Sequence, residues 1–163
     1  MKKIFPLLFV CLLVFCAGCK TKVLTPKQLA EKAENIEKIE RQKFVFTPMS
    51  AQPMRGRNIN LSPMYSLSVS KDTIYSNLPF FGRSQIAPTD PTNIGIKFIS
   101  TKFGYEVKKK SNGVYEIKIT PQDLPKREDR NIILYLNISD SGYGSLDVQS
   151  MDRDNISFYG TFE

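Results

Sequence analysis

The chain has 163 residues, enough for one domain with a real core, and its 23 Lys and Arg against 16 Asp and Glu give a formal net charge of +7. It contains no histidine, which removes the commonest general base, the Ser-His-Asp arrangement and most transition-metal sites. It also lacks tryptophan, the usual sugar-stacking platform, although Tyr and Phe can substitute.

Residues 1–18, MKKIFPLLFVCLLVFCAG, read as a lipoprotein signal peptide. Lys2 and Lys3 form a basic n-region, and Ile4 to Phe15 form an apolar stretch too short to span a bilayer comfortably. The stretch ends in Cys16-Ala17-Gly18-Cys19. Small residues before a cysteine are what lipoprotein signal peptidase cuts, leaving Cys19 as an acylated N-terminus. The segment resembles a bacterial lipobox with one departure, Cys16 where leucine is usual; the plainer alternatives are an ordinary signal peptide or an uncleaved anchor.

Cleavage removes Cys11 and Cys16, and lipid consumes Cys19. The expected mature domain then has no disulfide, no thiol nucleophile and no cysteine-bound zinc, so neither metal nor cofactor is expected. Removing Lys2 and Lys3 lowers the net charge from +7 to +5. That excess suits an ordinary solvated surface, or attraction to anionic head groups. Nucleic acid is not an expected partner of an exported, lipid-anchored chain. The expected partners are the membrane, through the anchor, and an envelope protein or a small apolar or anionic ligand.

Residues 19–25, CKTKVLT, form a tether that reaches about 20 Å when extended. Lys20, Thr21 and Lys22 differ from an acidic surface-export signal, so the periplasmic face of the outer membrane is the expected location.

Residues 26–163 read as one β-rich domain that begins with a helix. Thr25 suits the N-cap, Pro26 the first helical position, and Gln28 completes a capping box. Leu29, Ala33, Ile36 and Ile39 recur at helical spacing, with Glu and Lys on the other faces. A stripe of this kind predicts a helix laid against its own sheet, or else a partner-binding amphipathic helix.

After Lys43 the pattern is one of strands. Alternation is clear in Tyr65 to Val69, Ile132 to Ile138 and Ile156 to Phe158. Turn signals every ten residues or so predict a mostly β domain: a single antiparallel barrel or sandwich, lipocalin-like possible, of about 8–10 strands. A three-residue loop, Ser111-Asn112-Gly113, pairs Val107 with Ile117 and Tyr105 with Ile119. A two-residue turn would instead put Lys108 into the apolar face. Asp140-Ser141-Gly142 pairs Leu136 with Leu146 in the same way, and a Lys71-Asp72 turn pairs Val69 with Ile74 and Tyr65 with Leu78. The Lys108-Lys109-Lys110 run is an exposed hairpin end, with membrane contact the lesser reading.

Within "NLPFFGR" (77–83), Phe80 shares a strand face with Ile74, Ser76 and Leu78, while Phe81 points the other way. Gly82 permits an abrupt turn, and Arg83 can hold an anionic group. The alternation then stops until Ile94, a long loop of the kind that often carries function. Phe81 and Arg83 are the candidate ligand- or partner-binding residues, with loop 79–93 as the rim of the site. No catalytic residues are assigned. Glu128-Asp129 and Asp152-Arg153-Asp154 are the closest carboxylate clusters, and both fall in predicted turns. A glycosidase needs two carboxylates across a cleft, and a calcium site needs more oxygen ligands than Asp152 and Asp154 supply.

In this order, "QPMRGRNINL" (52–61), "YSLSVSKDTIYSNLPFFGR" (65–83), "IKF" (96–98) and "GVYEIKI" (113–119) make the chain resemble the Bacteroidota lipoprotein family known as domain of unknown function 4251. The resemblance spans about residues 30 to 162, and Leu78 to Arg83 is its most specific part. It implies a signal-bearing, mostly β exported protein and brings no catalytic residues with it. Residues and resemblance together favour a non-enzymatic binding or assembly module. The alternative is a carboxylate-dependent hydrolase acting on envelope or dietary glycans.

Overall fold

The computed structural model describes residues 25–163 apart from Asn112. The signal peptide, Cys19 and the tether as far as Leu24 lie outside the described residues. Helix α1 (Pro26–Glu40) is followed by β1 (Phe44–Pro53), β2 (Ile59–Asn60), β3 (Ser66–Val69), β4 (Ile74–Leu78) and β5 (Ile96–Ser100). Next come β6 (Phe103–Lys109), β7 (Tyr115–Pro121), a 3-10 turn (Arg127–Asp129), β8 (Ile133–Ile138), β9 (Tyr143–Gln149) and β10 (Ile156–Phe162). All the pairings are antiparallel, in the order β5-β4-β3-β1-β10-β9-β8-β7-β6, with β2 beside the second half of β1.

The two edge strands, β5 and β6, are consecutive in the chain and joined by only Thr101 and Lys102. Asp123, just beyond β7, rivets that corner. Its carboxylate accepts from the Ser100 hydroxyl at 2.5 Å, from Thr101 N–H at 2.9 Å and from Lys102 N–H at 3.2 Å. The Ser100 bond first, then those from Thr101, hold its pKa down at about 2. The corner draws the sheet's edges together into a nearly closed barrel, as the alternation in the sequence predicts.

Strand alternation follows the side chains. In β8, Leu134, Leu136 and Ile138 are fully buried while Tyr135 and Asn137 face outward. Phe46, Phe158, Leu67 and Ile117 fill the interior, so the barrel is a packed core. The expected registers hold: Val107 faces Ile117, Tyr105 faces Ile119, Leu136 faces Leu146 and Val69 faces Ile74. In that last hairpin the ladder ends at Ser66 opposite Asn77, one residue short of Tyr65. Gly113 and Gly142 take the positive φ, 81° and 82°, that three-residue loops demand.

The helix departs from expectation. Its capping box forms as predicted, but only Ile39 is buried and Ile36 partly so; Leu29 is 54% exposed and Ala33 is exposed. The helix lies across the barrel end that carries the 139–143 turn, docking by its last turns. Lys32 bridges Asp140 at 2.6 Å, and the buried-edge Tyr105 hydroxyl donates to the Ile39 carbonyl at 3.2 Å. It stops in a Schellman arrangement built without glycine. Gln42 takes φ 53°, and N–H bonds run from Lys43 to Lys38 O and from Gln42 to Ile39 O. A further feature has no counterpart in the predicted pattern: β1 bulges between Pro48 and Ser50, opposite Gly160. A Cβ on Gly160 would overlap the Thr47 carbonyl and come within 2.7 Å of Pro48 Cα.

Candidate functional site

The opposite end of the barrel, where β4 ends and β5, β8 and β10 begin, is covered by the loop after β4. Phe80 continues the inward face of β4 and is 7% exposed. Phe81 is half-buried against the core edge. Gly82 lies between them and the 152–154 turn. The reason for glycine is close approach, since its Cβ would meet the Phe80 ring at 2.9 Å and Asp154 Cβ at 3.0 Å. Its backbone is not in the left-handed region, so an abrupt turn is not what selects it.

Beneath the loop sits an ionic cluster. The Arg153 side chain is 2% exposed and lies over the Phe80 ring, 5.1 Å from its centroid. One guanidinium nitrogen donates to the Ile94 carbonyl at 2.8 Å, and another lies 3.2 Å from Asp129 and 3.4 Å from Glu128. Glu128, fully buried, accepts from the Thr89 N–H at 3.0 Å and the Thr89 hydroxyl at 2.6 Å. Burial pushes its pKa up, but the Thr89 donors and Arg153 together hold it below the usual value. Asp129 is equally buried, yet neither of its oxygens receives a well-aligned hydrogen bond. Burial dominates there and raises its pKa to about 6, against the pull of Arg153.

Arg153 thus latches both the start of the loop, through Phe80, and its end, through Ile94. Outer ties complete the hold. Arg83 N–H donates to Asp154 at 3.0 Å, Asp154 N–H donates back to Arg83 O at 2.9 Å, and Gln85 N–H donates to Asp152 O at 2.8 Å. Asp152 also accepts from Asn131 at 3.2 Å. The carboxylates of the 128–129 and 152–154 clusters therefore serve the turns, and no group of acidic residues able to hold a metal ion is found among the described residues.

The latched loop leaves a groove of about 260 Å³ between Tyr65, Pro79, Phe81, Ile94 and Lys97, with Ile94 48% exposed. Of the two residues singled out in the sequence, Phe81 lines this groove. Arg83 does not: it is exposed, and its backbone N–H is bound to Asp154. Lys97, on the exposed side of β5, is the cation that borders the groove. Sequence reasoning missed Arg153 as the organising residue; it sits in a turn, and no periodicity marks it as buried.

A second groove, about 550 Å³, separates α1 from β1 and β3. Phe44, Val45 and Val69 floor it, and Glu34, Glu37, Lys38 and Arg41 wall it. Those charges pair along the helix, Lys38 with Glu34 at 2.9 Å and Arg41 with Glu37 at 2.6 Å, so the wall offers little unmet polarity.

The family model for domain of unknown function 4251 matches residues 27–162. The fold is similar to the crystal structure of a DUF4251 family protein from Bacteroides eggerthii, with a TM-score of 0.63 and 10% identity, over 83% of this chain and 90% of that one. Comparison with curated proteins gives no match.

Proposed function

This chain belongs to the DUF4251 family, and from that premise we propose that it is a lipid-anchored binding or assembly module of the cell envelope, not an enzyme. The observation that carries the reading is the latch. A long loop that could have been mobile is fixed at both ends by one buried arginine, and it holds Phe81 and Ile94 at a groove open to solvent. A rigid rim with a partly exposed aromatic is suited to recognition, because little side-chain freedom is lost on binding. The interior is filled by large side chains such as Phe46, Phe158, Leu67 and Ile117, which favours binding at the rim over binding inside. The hydrolase reading has less support, since Glu128 and Asp129 turn inward to Arg153 instead of facing each other across an open cleft. The envelope location rests on the order of basic, apolar and small residues before Cys19.

A photo-reactive phenylalanine analogue in place of Phe81, expressed in the native host, tests the site. A discrete cross-linked adduct is expected at position 81 and not at Tyr75, which is exposed on the outer face of β4. No adduct, or the same adducts at both positions, would overturn the groove as the binding site.

A further inference from the structure

What occupies the groove can be read from its surroundings. In sequence, Lys126-Arg127-Glu128-Asp129-Arg130 is a mixed run of charge. In the fold, the two acids turn inward to Arg153, while Arg127 and Arg130 stay exposed. Asp152 and Asp154 are engaged by Asn131 and by the Arg83 N–H. Arg55, Arg57 and Arg83 are exposed at the same end: Arg55 and Arg57 follow Pro53, which pairs with Ile156 at the start of β10, and Arg83 is bound to Asp154. Among the described residues, none of these exposed arginines forms an ion pair. The fold therefore gathers exposed arginines, none of them in an ion pair, into an arginine-rich rim.

Apolar side chains are exposed at this end too, as Tyr143 and Leu29 are at the other. Met54 is 63% exposed, Met64 67% and Met151 75%, and each lies in a turn beside a strand terminus of this end. The three consecutive lysines, Lys108 to Lys110, are at the opposite end, where Lys110 is paired with Glu116. Arginine, methionine and aromatic residues are enriched at protein–protein interfaces. Guanidinium groups also match carboxylates in bidentate geometry, which a lysine cannot do.

Building on the binding role proposed above, we infer that this end of the barrel docks a segment of another protein in which one or two apolar side chains are flanked by Asp and Glu. The apolar group enters the groove at Phe81 and Ile94, and the carboxylates pair with Arg83, Arg127 and Arg130. The five exposed arginines outnumber Asp152 and Asp154, so the rim favours an acidic segment over a basic one.

The test is selection from a random peptide display library on the intact, detergent-purified protein, followed by binding measurements on four proteins. These are the native chain, Arg83→Ala/Arg130→Ala, Phe81→Ala, and Lys108→Ala/Lys109→Ala as the opposite-end control; thermal melts establish that each is folded. The selected peptides are expected to pair apolar residues with Asp or Glu. Their affinity should drop about tenfold or more in the arginine and Phe81 variants, stay unchanged in the lysine control, and weaken with salt. Peptides without acidic bias, an equal loss in the lysine control, or tighter binding to vesicles of anionic phospholipid than to any peptide would overturn the inference. Loss in Phe81→Ala alone would overturn the acidic partner but leave the groove standing, and loss in neither variant would remove both.

Discussion

Asp129 is a carboxylate placed where its charge is poorly supported: it is buried, its oxygens lack aligned donors, and its pKa is raised to about 6 from 3.8. A raised acid pKa means that the folded state binds the proton more tightly than the unfolded chain does. Its contribution to stability is therefore fully present below about pH 4 and is lost as pH rises through about 6. Asp129→Asn should abolish that decline. The difference between native and variant urea stabilities should change by about 2–3 kcal/mol between these limits. A pH-independent difference would mean that Arg153 fully compensates the charge. Phe80 and Phe81 give the contrasting case of residues whose difference in burial the alternation made legible. Phe80 is 7% exposed under Arg153, so Phe80→Ala should cost about 3–5 kcal/mol in urea melts. Phe81→Ala, at the half-buried rim, should cost clearly less. Equal losses would make the segment a core plug. What the sequence did not disclose is that Arg83 stands off the groove and Arg153 organises it, because both placements depend on a pairing between loop 83–85 and turn 152–154 that lies far apart in the chain.

At the scale of elements, local chemistry was the most readable signal. The capping box at Thr25 and the two bulged loops ending in Gly113 and Gly142 are fixed by neighbours a few residues away, and the strand registers follow from the loops. The burial of α1 was less readable. Helical spacing identifies an apolar stripe but not how much of it the barrel end can cover, and the barrel reaches only the last turns. Ile39→Ala should accordingly cost about 2–5 kcal/mol, whereas Leu29→Ala should leave the unfolding midpoint nearly unchanged, as read by thermal or urea melts of the purified protein. A substantial loss at Leu29 would show that the first turns of the helix are covered in solution. The bulge opposite Gly160 was likewise invisible in the sequence, since a lone glycine in a strand does not say which backbone presses against it.

The whole molecule has two unlike ends. The helix, and with it the start of the domain at Thr25, lies at the end carrying the 139–143 turn; the latched loop and the arginine rim lie at the other. A seven-residue strand such as β8's partner β9 spans about 23 Å, and the seven-residue tether reaches at most about 20 Å, so an anchor at Cys19 allows the rim to stand tens of ångströms from its own bilayer. Mostly β architecture could be read from alternation and turn spacing, but this polarity could not, because it arises from which strand ends the sheet order gathers together. The proposed geometry separates anchoring from recognition. Cys19→Ala should move the protein from the membrane to the soluble fraction, or leave an uncut precursor visible by intact mass. A form of Cys19→Ala released into solution should retain the native melting temperature and the native affinity for the selected peptides. Loss of peptide binding on release, with the melt unchanged, would show that the bilayer itself completes the rim and that the two ends do not act independently.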